Sequence, residues 1–158
     1  MDSSKNGVNG KAVNGGIPQL GNLTKHLELF RQNVSSMIVD PDYSGLAVID
    51  WEQWDPLWAR NWDSRQIYRD ASIELAKKEN PDLPIKEVTE IAHAQFEKSA
   101  RSFMEATLLE LKKIRPNAKW GYYRFPDCHD GFSQCSEKIR YIAYPVPKSV
   151  YDRYVEIR

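Results

Sequence analysis

From Leu23 the apolar residues Leu23, Leu27, Phe30, Val34 and Ile38 recur every three or four positions, the period of a helix that buries one face, and Pro41 ends the run. After a turn, Gly45-Leu46-Ala47-Val48-Ile49 is a short continuous apolar stretch, which predicts a strand buried on both faces of a parallel sheet. A second helix is expected to open near Asp63 or Ser64. It runs to about Glu79 through Ile67, Tyr68, Ala71 and Leu75, stopping before Asn80-Pro81. Pro84 suits the first turn of a third, long helix. Its stripe runs through Val88, Ile91, Ala92, Phe96, Phe103, Met104, Thr107, Leu108, Leu111 and Ile114 until Pro116. Lys119 to Phe125 is aromatic and β-prone and reads as the next strand.

Helix, strand, helices, strand is the alternation of an α/β layer or barrel rather than of a helical bundle. Two strands cannot cover themselves on both faces, so the fold reads as incomplete, its remaining strands supplied by a longer parent or by a partner. Residues 1–16, with Asn6-Gly7, Asn9-Gly10 and Asn14-Gly15, favour turns and read as a flexible lead-in.

Composition adds bounds. With 158 residues, 41% hydrophobic and 28% charged, the chain can build one core, and no apolar run approaches the length of a membrane span. Twenty-two basic and twenty-two acidic residues cancel, so net charge draws in neither nucleic acid nor any other polyanion, and an anionic partner must be held locally. The first sixteen residues contain no hydrophobic core that could serve as a signal peptide. Asn22-Leu23-Thr24 and Asn33-Val34-Ser35 are glycosylation sequons. The two cysteines, Cys128 and Cys135, are either a disulfide-closed loop, which implies an oxidising compartment, or buried thiols.

Chemistry concentrates at Asp50 and Glu52. On a strand, residues two apart share a side, so these carboxylates would stand within roughly 7 Å at the strand's C-terminal end, where barrels and open α/β sheets gather reacting groups. Two acids that close cannot both ionise freely, and the one that keeps its proton can serve as a general acid. Trp51, Trp54, Trp58 and Trp62 flank them. Flat aromatic faces suit sugar rings, which makes Trp51 and Trp54 candidate sugar contacts; equally, Trp54, Trp58 and Trp62 are spaced as core residues of a helix. His26, His93 and His129 show no metal-ligand spacing, and there is no phosphate loop, nucleophile elbow or dinucleotide fingerprint, so no metal or cofactor is implied. Lys112, Lys113, Arg115 and Lys119 cluster at the end of the long helix, where cations suit the helix dipole.

Four stretches carry a resemblance: NGGIPQLGNL at 14–23, GLAVIDWEQW at 45–54, Pro56 with Asn61-Trp62, and WGYYRFPDC at 120–128. Together they resemble the animal hyaluronidases, the venom and sperm enzymes, over about residues 14–140. The resemblance implies part of a TIM-like β/α barrel across residues 17–140, followed by a divergent tail at 141–158. It also implies a secreted glycosidase that cleaves β-1,4 bonds to N-acetylglucosamine in hyaluronan, and in chondroitin as a lesser substrate. By position, Glu52 matches the family's general acid/base and Asp50 the residue that orients the substrate's acetamido group. That group is itself the nucleophile, so configuration is retained. Tyr123 matches a tyrosine that hydrogen-bonds near the reacting sugar, and Cys128 with Cys135 matches a short disulfide loop.

The family's leading segment with its signal peptide and the second half of its barrel find no counterpart, so the chain reads as truncated at both ends. Asp55 stands where many relatives carry arginine and is expected to repel a polyanionic substrate. The competing expectation is a catalytically inactive shortened isoform that binds glycans or protein through an exposed sheet edge.

Overall fold

The computed structural model describes residues 12–123. Near the start of the described residues lies a turn in which Asn14, Gly15 and Gly16 all take positive φ (52°, 88° and 77°), the left-handed region that glycine enters at no steric cost. The Gly16 N–H closes it on the Val13 carbonyl at 3.0 Å. Five regular elements follow: α1 (Leu23–Met37), β1 (Leu46–Ile49), α2 (Gln66–Glu79), α3 (Ile85–Ile114) and β2 (Lys119–Tyr122). Single 3-10 turns occupy Pro18–Leu20, Trp58–Arg60 and Asp63–Arg65. None of the helices among these residues is long and apolar enough to cross a membrane.

The helix boundaries fall where side-chain chemistry puts them. The Asn22 side-chain oxygen accepts the Lys25 N–H at 2.9 Å, satisfying one of the free donors at the start of α1. Beyond α2, Lys77 Nζ donates to the Pro81 and Leu83 carbonyls, both at 2.8 Å, which ties the exposed turn into α3 back onto the helix it leaves. Pro116 halts α3, as expected.

The described residues fall into two compact units, one holding 12–28 with 52–104, the other 29–51 with 105–123. In the first, the core is an aromatic cluster on one face of α3. Phe96 is fully buried and meets Trp54 and Trp58 edge-on, at centroid distances of 6.1 and 5.5 Å, and Trp54 also packs on Phe103. The stripe that α2 buries is Tyr68, Ser72 and Ala76. The expected stripe of Ile67, Tyr68, Ala71 and Leu75 shares only Tyr68 with it, and Ile67 is exposed. Tyr68 carries the larger surface into the core, and the Ser72 hydroxyl is made harmless by donating to the Tyr68 carbonyl at 2.7 Å.

In the second unit Val34, Ile49, Leu111 and Trp120 form the core, flanked by Phe30, Ile38, Trp51, Leu108 and Tyr122. β1 and β2 pair in parallel with Leu46 opposite Lys119 and Ile49 opposite Tyr122. The Arg31 guanidinium binds the Glu110 carboxylate (Nε to Oε1 2.7 Å), and that hydrogen bond holds Glu110 below the usual carboxylate range against the opposing effect of its burial. Arg115 is buried and donates to the Ile38 and Ile114 carbonyls, while Lys113 pairs with Glu110 at 3.5 Å, so these two members of the basic cluster at the end of α3 serve the fold.

One expectation fails here. β1 is not buried on both faces: Leu46 is 57% and Val48 65% exposed, and only Ile49 is buried. Among the described residues the sheet has two strands, and nothing layers over the face that Leu46 and Val48 share.

Candidate active site

The apolar run makes β1 because Val48 and Ile49 are β-branched and Trp120, aromatic and buried, lies opposite Ala47 in the partner strand. β1 ends at Ile49. Asp50 and Glu52 are both exposed and lie in the irregular segment just past its C-terminal end, so strand alternation does not reach them and does not set their directions. They nevertheless leave the sheet at the end where α/β folds collect chemistry.

In the second unit this end gathers Asp50, Trp51, Tyr122 and Tyr123. The Tyr123 N–H donates to the Ile49 carbonyl at 2.9 Å, extending the parallel ladder by one bond and setting Tyr123 beside the point where Asp50 departs. Tyr123 is 55% exposed. Trp51 is half-buried, packs on the core cluster and meets Tyr122 edge-on at 6.2 Å.

In the first unit Glu52 and Gln53 are both held from the turn that leads into α2 and from its first residues. Arg65 Nη2 donates to the Glu52 carbonyl at 2.8 Å, and the Tyr68 hydroxyl reaches Gln53 Oε1 at 3.4 Å. The chain then enters the core. Trp54 is 9% exposed, its ring held between Phe96 and Phe103, which leaves almost none of its face for a sugar. Trp58 is equally committed: His93 stacks on its indole at 5.4 Å, the Arg69 guanidinium lies 5.2 Å from it, and Glu97 accepts its backbone N–H at 2.8 Å. Of the tryptophans just past the acids, Trp62 is the exposed one.

Asp55, read from sequence as a charge facing the substrate, is built into a turn. Its carboxylate accepts the Leu57 N–H at 2.9 Å. Fully buried Asn61 accepts the Asp55 N–H at 2.9 Å and donates to the Asp55 and Leu57 carbonyls at 2.8 and 3.0 Å. Asp before Pro56 is a turn signal that could have revealed this. Nothing in the spacing pointed to Arg65, a basic residue thirteen positions beyond the acid it touches.

Both sequons are on α1: Asn22 caps it, and Asn33 and Ser35 are exposed within it. Cys128 and Cys135 lie outside the described residues. Among those described, no three or more His, Cys, Asp or Glu residues are gathered as a metal would need.

Residues 5–142 match the model of a glycoside hydrolase family described as hyaluronidase. Mouse Hyaluronidase-1 is 47% identical over 121 residues, 77% of this chain and 26% of that protein. The hyaluronidase of the honeybee Apis mellifera is 45% identical over 124 residues, covering 77% and 32%. The crystal structure of bee venom hyaluronidase in complex with a hyaluronic acid tetramer superposes with a TM-score of 0.74 at 45% identity, over 76% of this chain and 37% of that one. The chain thus spans about a quarter to a third of the length of the curated relatives it matches. The likeness in sequence and in structure makes its helices and two-stranded sheet part of a TIM-like β/α barrel, and the chain belongs to the hyaluronidase family.

Proposed function

We propose that this chain carries the acid/base segment of a glycosidase that cleaves β-1,4 N-acetylglucosaminide bonds in hyaluronan, and in chondroitin, by a retaining, substrate-assisted route. The observation that carries the reading is the exposure of Asp50 and Glu52 just past the C-terminal end of a parallel strand. The hyaluronic acid tetramer held by the bee venom relative supports the substrate class.

In this reading Glu52 protonates the glycosidic oxygen as the bond to the sugar breaks. The substrate's acetamido oxygen attacks the anomeric carbon from the opposite face, and Asp50 orients that group and balances the charge it develops. Glu52 then takes a proton from water, which opens the cyclic intermediate and restores the starting configuration. Tyr123, exposed at the same end of the sheet as Asp50, donates to the reacting sugar, and Trp51 lines the approach. Trp54 is assigned to the core instead of to substrate. Secretion, glycans at Asn22 and Asn33 and a Cys128–Cys135 bridge belong to the same proposal.

The test is release of reducing ends from hyaluronan by the chain made through a secretory host, beside Glu52→Gln. Glutamine keeps the shape and cannot cycle a proton, so activity should fall by at least about a hundredfold. Equal rates in the two proteins would sink the assignment. A second reading, an inactive glycan- or protein-binding isoform, is favoured by the open face at Leu46 and Val48. Hyaluronan binding with no turnover in either protein would support it.

A further inference from the structure

We infer that Arg65 is a positioning residue for Glu52, an inference that rests on the acid/base role proposed above. Glu52 lies in neither helix nor strand, so no regular ladder fixes its peptide plane. What holds it is the Arg65 guanidinium, a charged donor on the Glu52 carbonyl at 2.8 Å. The neighbouring residue is strapped from the same side, since Tyr68, buried three positions further on, reaches the Gln53 side chain.

The turn that presents Arg65 is itself unusual. Asp63 takes φ 55°, a left-handed conformation uncommon outside glycine, and the Arg65 N–H closes the turn on the Trp62 carbonyl at 3.1 Å. A backbone bent in this way aims the side chain at residue 65 toward the segment leaving β1. An acid on an irregular, exposed stretch samples many orientations, and proton transfer needs one of them. Tethering the carbonyl of the same residue narrows that sampling without touching the carboxyl group.

The experiment compares the full chain with Arg65→Leu and Arg65→Lys. Amide order parameters of Glu52 and Gln53 are measured by NMR relaxation, together with thermal midpoints and kcat and KM on hyaluronan. In Arg65→Leu the order parameters should fall from about 0.85 to below about 0.6. The thermal midpoint should shift little, because Arg65 is only half-buried and gives up a single bond to an exposed segment, and kcat should drop about tenfold with KM unchanged. Lysine can still donate to the carbonyl, so Arg65→Lys should recover most of both losses.

Unchanged order parameters in Arg65→Leu would overturn the inference, and so would a lysine variant that recovers nothing. Absence of turnover in the parent chain and in Glu52→Gln alike would count against the glycosidase reading alone. The order parameters would still decide the tether.

Discussion

Phe96→Ala puts the aromatic core of the first unit to a quantitative test. The ring is fully buried and is shared by two tryptophans, Trp54 at 6.1 Å and 76° and Trp58 at 5.5 Å and 72°. Truncating a buried phenylalanine to alanine costs about 3–5 kcal/mol, part transfer of the ring and part the cavity it leaves. Within that total each edge-to-face pair accounts for about 0.5–1.5 kcal/mol, so the two pairs contribute about 1–3 kcal/mol. Phe96→Leu separates these contributions. It keeps most of the apolar volume and loses both ring pairs, so it should cost about 1–3 kcal/mol.

At about 2–4 °C per kcal/mol for a chain of this size, the alanine variant should melt about 6–20 °C lower and the leucine variant about 2–12 °C lower. Thermal unfolding followed by tryptophan fluorescence reads both, since the reporters are the packed rings themselves. If Phe96→Ala lost less than about 1 kcal/mol, the ring would not be the centre of the cluster. Trp54 and Trp58 would then be free to be reconsidered as sugar contacts.

Two further outcomes follow from buried polar groups. Asn61→Ala removes three hydrogen bonds from a fully buried side chain and strands the Asp55 N–H and two carbonyls, so urea unfolding should show a loss of about 2–4 kcal/mol. The Arg31 hydrogen bond holds Glu110 below its ordinary value of 4.5, so the ionised form is favoured in the folded state. That contribution is full above pH 4.5 and is lost as pH falls through the lowered folded value. The midpoint difference between the parent chain and Glu110→Gln should therefore be constant from neutral pH down to about 5 and shrink on further acidification. A difference that grew with acid would reverse the sign of the linkage.

The helix boundaries were legible because periodicity and proline act locally: the start of α1, the end of α2 and both ends of α3 fall within two residues of Leu23, Asn80, Pro84 and Pro116, while α2 opens three residues after Asp63 and α1 ends four before Pro41. What lay beyond reach was which of two adjacent stripes a helix buries. On α2 the choice fell to Tyr68, Ser72 and Ala76, and a serine counts as polar until the carbonyl that satisfies it is known. The tryptophans were ambiguous for a related reason, since a ring suited to a sugar is equally suited to Phe96. Within the candidate site, Asp50 and Glu52 stood out from their place after an apolar run. Asp55 was legible as a charge, and the Asp-Pro step signals a turn, but its closure by Leu57 and Asn61 depends on a partner six positions on. Arg65 gave no signal at all, because a hydrogen bond to a backbone carbonyl across thirteen residues depends on the turn at Asp63.

The second sequon sets an order of events. On α1 successive residues advance about 100° around the axis, so Asn33 and Ser35, two apart, point about 200° from each other. A transferase that must engage the asparagine amide and the serine hydroxyl together cannot reach both once the helix has wound. A glycan at Asn33 is therefore attached to the nascent chain before α1 forms or not at all, and its presence on the mature protein would record how slowly that helix is completed.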